Sequence, residues 1–130
     1  MRFSKTIFLI AAIYGLIALV PGYFAEQRFG VQFPPAITHP EFYYGFYGLA
    51  LSWQVAFLII AADPVRYRGI IPAAVLEKLS FAAATSVLFT VGRLNPVAAG
   101  LGLIDLLLGI LFMICYVRLG KLSAQAAAGR

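Results

Sequence analysis

This sequence has little charge for its length. Only 12% of its 130 residues are Asp, Glu, Lys or Arg, and 62% are hydrophobic, whereas roughly a quarter of the residues in a soluble domain are charged. A soluble chain of this size leaves about a third of its unfolded surface exposed after folding. It could not hide this much apolar surface from water, so the composition indicates a protein that resides in a lipid bilayer.

The sequence also lacks the residues that most catalytic and metal sites need. Its lone cysteine, Cys115, excludes an intrachain disulfide and a cysteine-rich metal site. No His-Glu metal spacing, nucleophile elbow, phosphate-binding loop or redox cysteine pair is present. We therefore predict no metal and no cofactor, and enzymatic activity ranks last among the functions considered. The net charge of +5 lies in short segments between apolar runs, which is typical of membrane topology and does not indicate a nucleic-acid partner.

Four apolar runs divide the chain. Each is near the ~20 residues that cross a hydrocarbon core of ~30 Å as a helix, and a helix satisfies its own backbone polar groups in lipid. None alternates polar and apolar residues, as the strands of a membrane barrel do. We predict an all-α fold, a four-helix transmembrane bundle in one domain (1–130) with a long outer loop between helices one and two. The predicted helices span residues 3–23, 41–62, 69–92 and 96–118.

The ends of these runs refine the prediction. The first run has the charged start of a signal peptide, but Tyr23 and Phe24 stand where a cleavage site needs small residues, so we expect a retained helix. The connectors "DPVRYRG" and "GRLN" are short, which predicts that helices two, three and four are antiparallel neighbours. The residues after 118 are expected to form a frayed helical extension.

Lysine and arginine predict the orientation. Seven of them fall on one side of the predicted membrane and two on the other, and the richer side is cytoplasmic by the positive-inside rule. We therefore predict that both termini are cytoplasmic. The richer side carries Arg2, Lys5, Arg66, Arg68, Arg118, Lys121 and Arg130, and the other side carries Arg28 and Arg93.

The segment 25–40 between helices one and two mixes aromatic, polar and charged residues. It is too short and too interrupted by Pro34-Pro35 to span a membrane, so we expect it to lie on the outer interface or to fold over the mouth of the bundle. An aromatic cluster follows, which we interpret as a belt at headgroup level; the alternative is that some of its rings line a cavity open to the outside. The cluster consists of Phe42, Tyr43, Tyr44, Phe46 and Tyr47.

Three charged residues, Glu77, Lys78 and Asp105, lie deep within the apolar runs, far from their ends. By helical rise, Glu77 lies roughly 12 Å from the inner boundary and Asp105 roughly 13 Å from the outer one. A charge at such depth costs about 2.5 to 3.5 kcal/mol on the insertion scale, so these residues are expected to face the bundle interior. Lys78 follows Glu77 directly, and adjacent side chains on a helix do not face each other. We expect Lys78 to extend toward the headgroups or across to Asp105.

Small residues predict which helix faces are inside, because they let helices approach closely in lipid. On helix four the predicted inner face carries Gly102, Asp105 and Gly109. On helix two it carries Gly45, Gly48, Ser52 and Ala56. On helix three it carries Glu77, Ser80 and Ala84.

These observations predict a polar centre within the membrane. One interpretation is a closed network of hydrogen bonds that holds the helices in register. The alternative is a binding pocket or proton site for a lipid, quinone or other small amphiphile, since ionisable residues inside a membrane are functional candidates by default. Both interpretations stay open at this point. The predicted centre consists of Tyr14, Trp53, Gln54, Glu77, Lys78, Ser80 and Asp105.

Two arginines in the second connector form a separate site. Arg66 and Arg68 flank Tyr67 in "DPVRYR", and we predict that they contact anionic lipid headgroups. The lipid bilayer is thus the one partner predicted from the sequence. A second copy of the chain or another membrane protein stays open as a further partner.

The layout resembles a known kind of protein. The segments "HPEFYYGFYGLALSWQ", "DPVRYR" and "VLEK", ahead of an acid in helix four, are similar to those of small uncharacterised four-helix bacterial membrane proteins, and remotely similar in size and helix count to the DoxX-like group. This resemblance implies a multi-pass protein of a bacterial inner membrane, without a catalytic motif.

Overall fold

The computed structural model describes the backbone of residues 1–128 and the side chains of residues 1–125, so Arg130 lies outside the described residues. Within this part of the chain every regular element is helical, as predicted. A 3₁₀ turn at Arg68–Ile70 precedes the fourth helix. The helices are α1 (Arg2–Tyr23), α2 (Glu26–Gln32), α3 (Pro40–Ala62), α4 (Ile71–Thr90) and α5 (Pro96–Ala128).

Four of these helices are long and apolar enough to cross a membrane. They are α1, α3, α4 with its preceding turn, and α5, whose most apolar windows have mean hydropathies of 2.1, 1.7, 1.4 and 2.5. Large aliphatic side chains on their outer surfaces, such as Ile17, Leu49 and Leu103, are exposed. A bilayer would cover them, so the outer surface has the character that contact with lipid requires.

The helix ends differ from the prediction in three places. The segment after α1 is not a plain loop, because residues Glu26–Gln32 form α2. The helix α4 corresponds to predicted helix three, but it is shorter than the predicted 69–92 and ends at Thr90. Gly92 follows with φ +71°, a conformation that glycine adopts without strain. The last helix continues past residue 118, so the predicted extension is continuous with α5.

The long helices form two closely packed antiparallel pairs, α1 with α3 and α4 with α5. In the first pair, Gly15 and Gly22 of α1 lie under the side chains of Gln54 and Tyr47 of α3. These residues are seven apart on each helix, so they recur on one face. Any side chain at either glycine would overlap its neighbour, and the glycines therefore set how closely the helices approach.

The second pair uses the same arrangement. Gly102 and Gly109 of α5 lie under Thr85 and Leu79 of α4, which agrees with the inner face predicted for helix four. Van der Waals packing drives helix association in lipid, and glycine lets the two helix backbones approach most closely. The close approach of each pair thus depends on two glycines two helical turns apart.

The two pairs meet at the end that holds the N-terminus. Phe8 of α1 stacks on Phe112 of α5, with ring centroids 4.2 Å apart, and Phe57 of α3 meets Phe112 edge-on at 5.0 Å. Predicted helices two and three, which are α3 and α4, make far less contact with each other than either pair makes within itself. They are neighbours, since the Phe46 and Phe81 rings have centroids 6.0 Å apart, but each packs closely against a different partner.

Two predicted inner faces are right only in part: Glu77 of the α4 face borders the cavity as predicted, but other members of both faces are exposed. Gly45 and Ser52 of α3 are exposed, because its buried side carries the large residues Tyr47, Gln54, Phe57 and Ile60. The small residues that accept them are on α1. On α4, Ser80 and Ala84 are exposed, since the buried stripe is one position away and consists of Ile71, Ala74, Val75, Lys78, Ala82 and Thr85.

Candidate functional site

Lys78 lies between two carboxylates where α4 faces α5. Its ammonium Nζ is 3.3 Å from Glu77 Oε2 and 3.2 Å from Asp105 Oδ1. It also donates longer hydrogen bonds, at 3.4 Å, to Glu77 Oε1 and Asp105 Oδ2. Lys78 is only 6% exposed, so one buried cation is shared by two acids.

The contact of Lys78 with Asp105 is one of the two arrangements expected from the sequence, but its contact with Glu77 is not. Adjacent residues diverge by about 100° around a helix. The long, flexible lysine side chain nevertheless places the ammonium within reach of the Glu77 carboxylate. Lys78 Nζ also lies 5.4 Å from the ring centroid of Phe57, so an aromatic face contributes to its surroundings.

Gln54 has an amide with one unpaired side. Its Nε2 donates to the carbonyl oxygen of Ala50 at 2.8 Å. Its Oε1 is buried and has no hydrogen-bond partner among the described residues. Glu77 Oε2 is also buried and accepts no hydrogen bond there, but it is ion-paired with the Lys78 ammonium at 3.3 Å. A buried polar atom without a partner is uncommon and costly, so Gln54 Oε1 is the atom at which a further hydrogen-bond donor would be stabilising.

The other residues of the predicted polar centre lie at its edges. Tyr14 of α1 is half-buried and faces the same space as Asp105. Trp53 packs toward Phe57, with ring centroids 6.0 Å apart. Ser80 donates to the Glu77 carbonyl oxygen of its own helix at 2.9 Å, and its hydroxyl is therefore occupied locally.

A cavity of about 440 Å³ lies where the two helix pairs diverge. Its inner end, called the floor below, has polar groups from Tyr14, Gln54, Glu77, Lys78 and Asp105, and its walls are mostly apolar. The remaining lining residues are Gly15, Ala18, Leu19, Pro21, Gly22, Ala25, Arg28, Phe29, Phe46, Tyr47, Ala50, Phe81 and Leu101.

The short helix α2 lies at the outer end of this cavity. Ala25, Arg28 and Phe29 all line it, which agrees with the expectation that the outer segment folds over the bundle mouth. Along α1 the polar floor at Gly15 lies roughly 10 Å deeper than Gly22 near the mouth. The cavity thus runs from an end bordered by α2, with one arginine, to a charged floor among the long apolar helices.

A second cavity, of about 260 Å³, lies beside the first between α3 and α4. Phe46, Ala50, Glu77 and Phe81 line both cavities, and the rings of Phe46 and Phe81 have centroids 6.0 Å apart. This opening lies on the side where α3 and α4 separate. Glu77 therefore borders both the 440 Å³ cavity and the lateral opening.

The two connector arginines have different surroundings. Arg66 is exposed. Arg68 is half-buried; its Nε donates to the Tyr116 carbonyl oxygen at 3.1 Å, and its guanidinium lies 4.1 Å from the centroid of the Tyr116 ring. Arg68 thus contacts α5 directly, and the headgroup contact of both arginines stays a prediction.

Sequence reasoning missed several residues of this site. Gly15 and Gly22 were not singled out, although their spacing of seven is the same as that of Gly102 and Gly109, which were. Arg28 and Phe29 were placed in the outer segment without a role in the cavity. The glycine spacing was a readable signal, but nothing in the sequence indicates how α2 turns over the mouth.

Four long apolar helices around a partly polar cavity define the class of protein: this is a multi-pass membrane protein. Among the described residues, no group of three or more His, Cys, Asp or Glu side chains is placed to hold a metal ion. No protein-family model, curated protein or solved structure matches the chain, and the resemblance to DoxX-like proteins therefore gains no support from relatives.

Proposed function

We propose that this protein binds a small amphiphile in the cavity between its two helix pairs. The observation that carries the proposal is a membrane-embedded cavity of about 440 Å³ whose floor has a buried amide oxygen, Gln54 Oε1, without a hydrogen-bond partner among the described residues, beside the charged group of Glu77, Lys78 and Asp105. Small-molecule sites typically have volumes of about 300 to 1,000 Å³, apolar walls and a few convergent polar groups. This cavity has all three features.

The closed structural network is the second candidate. The ion pair of Lys78 with Asp105 favours it, because it joins α4 to α5. However, those two helices are already closely packed, and no hydrogen bond between side chains of the described residues joins the polar groups of α4 to Gln54 or Tyr14. A network with the role of holding all four helices in register would need such a bond, so the binding site is the better-supported function.

The orientation follows the distribution of basic residues. Both termini face the cytoplasm in this proposal, and the mouth at α2 faces the opposite side of the membrane. The inner membrane of a bacterium is the location that the resemblance implies. The lipid bilayer surrounds the apolar helices, and association with a second copy or another membrane protein stays a prediction.

A stabilisation experiment tests the proposal. Purified protein in lipid nanodiscs is heated with decylamine, decanol, decanoate, or a short-tailed quinone or quinol, and the melting temperature is measured. A ligand that binds only the folded protein raises stability with the logarithm of its concentration over Kd, by about 2.7 kcal/mol at a hundredfold excess. We expect at least one probe to stabilise the protein.

A cavity-filling pair of variants makes the test specific. Ala18 lines the cavity, so Ala18→Phe is expected to remove the stabilisation by occupying the space. Ala83 is exposed on α4 and does not line it, so Ala83→Phe is the matched control and should bind as wild type does. If no probe stabilises the wild-type protein, or if both variants respond as wild type does, the cavity is not the binding site and the structural network is left as the function.

A further inference from the structure

We propose that the cavity selects an amphiphile whose buried polar end is a protonated amine. This inference rests on the proposed binding function and adds the chemical class of the ligand. It is carried by the kinds of atoms at the cavity floor, by the charges they bear and by the depth at which they lie.

The floor has one buried acceptor with neither a hydrogen bond nor an ion pair, Gln54 Oε1, and no buried donor atom without a hydrogen-bond partner among the described residues. The other buried oxygen that accepts no hydrogen bond there, Glu77 Oε2, lies 3.3 Å from the Lys78 ammonium, a cation that it shares with Asp105. The donors of Lys78 are directed to Glu77 and Asp105, and one donor of Gln54 is bonded to Ala50. A ligand therefore completes this site by donating hydrogen bonds.

These oxygens can reach a ligand with little movement. Both residues line the cavity, and the terminal torsions of Gln and Glu side chains are broad. A small rotation of the amide turns its unpaired oxygen toward the space, and a small rotation of the carboxylate lets a second cation share an oxygen with Lys78. An ammonium carries up to three donors, so one head group is sufficient for both acceptors.

The charges at the floor favour the same head group. Two carboxylates, Glu77 and Asp105, surround one ammonium, Lys78, which leaves a formal excess of one negative charge when both acids are ionised. Arg28 also lines the cavity, but it is exposed and lies on α2 at the mouth. Water screens an exposed charge far more than a buried one, so the local field at the floor is set by the acids.

Other head groups fit less well. A fatty-acid carboxylate would meet two carboxylates and could not donate to Gln54. A quinone presents only carbonyl acceptors and would leave Gln54 Oε1 without a partner. An alcohol or a quinol donates, but it does not neutralise the excess charge.

The test compares probes that share one tail and differ in the head group. Decylamine, decanol and decanoate are titrated against wild-type protein in nanodiscs made of a zwitterionic lipid, with melting temperature as the readout. Compared with a neutral hydrogen bond, a charge-assisted one raises affinity by roughly tenfold to hundredfold. We expect decylamine to have a Kd lower than that of decanol by about this factor, and decanoate to give no shift.

A matched pair of variants assigns the preference to the floor. Glu77→Gln keeps the size of the side chain and removes one carboxylate, so the advantage of decylamine over decanol should shrink to less than about threefold, since a neutral hydrogen bond contributes less than a charged one. Glu41 is an exposed acid that does not line the cavity. Glu41→Gln is the control and should keep the full preference.

The outcomes separate this inference from the proposed function. If decanol or decanoate stabilises the protein as strongly as decylamine does, and Ala18→Phe abolishes the effect, the binding function stands and the amine class is wrong. If no probe stabilises it, the binding function itself is wrong. A decylamine preference that survives Glu77→Gln unchanged also contradicts the inference, because the selectivity then arises outside the floor.

Discussion

Gln54 of α3 lies directly over Gly15 of α1, so closely that a Cβ at position 15 would overlap the amide. This contact brings α1 against α3 and holds an unpaired oxygen, Gln54 Oε1, beside the cavity. The packing of the first helix pair and the chemistry of the cavity floor therefore depend on the same two residues.

Gly15→Ala is expected to destabilise the protein and to disturb the cavity. The added methyl group must displace the Gln54 side chain or separate α1 from α3, and overpacking of this kind costs about 1 to 3 kcal/mol. Gly45→Ala is the control, because a Cβ there meets nothing within 4 Å and alanine favours helix over glycine. Thermal unfolding in detergent should separate the two variants. Equal melting temperatures would show that the close contact has no energetic role.

Lys78→Met should destabilise the protein more strongly. Removing one partner of a buried ion pair leaves an uncompensated charge and costs about 3 to 5 kcal/mol, and here two carboxylates lose the same cation. Adding Asp105→Asn to Lys78→Met should recover part of this loss, since one of the opposed charges is removed. The measurement is the unfolding free energy of the two single variants and the double variant. A double variant whose loss equals the sum of the two single losses would argue against the shared ion pair.

Arg68→Gln should cost stability, and Arg66→Gln should not. Arg68 donates to the carbonyl oxygen of Tyr116 and stacks on its ring, and losing both contacts is expected to cost about 1 to 2 kcal/mol. Arg66 is exposed, so its replacement should change binding to anionic vesicles more than it changes unfolding. Melting temperatures together with vesicle co-sedimentation measure both effects. Similar behaviour of the two variants would mean that the contact of Arg68 with α5 adds no stability.

Labelling of single cysteines tests the orientation. In a Cys115→Ala background, Gln32→Cys at the end of α2 should react with a membrane-impermeant reagent in intact cells, and Ser123→Cys on α5 should stay protected until the cells are lysed. Position 123 serves as the C-terminal probe because it lies within the described residues, whereas Arg130 does not. Reaction at position 123 in intact cells would reverse the predicted topology.

The sequence by itself determined the class of fold and the number of long helices. Length and hydropathy of the four runs are local properties, and a helix in lipid satisfies its own backbone, so those elements did not depend on tertiary contacts. The inner face of α5, with Gly102 and Gly109, was also readable, since the glycines recur on one side of the helix. The faces of α3 and α4 were readable only in part. On α3 the large residues turn inward because the complementary glycines are on α1, and a pattern within one helix contains no information about its partner.

Only the tertiary structure decided which helices pair and where a cavity opens. The pairing of α1 with α3 and of α4 with α5 depends on steric fit between residues far apart in the chain, such as Gly22 with Tyr47. The divergence of the two pairs at the end opposite the N-terminus creates the space that α2 borders. The position of the Lys78 ammonium between Glu77 and Asp105 was decided in the same way, because a long side chain on one helix takes the direction that charges on a neighbouring helix make favourable.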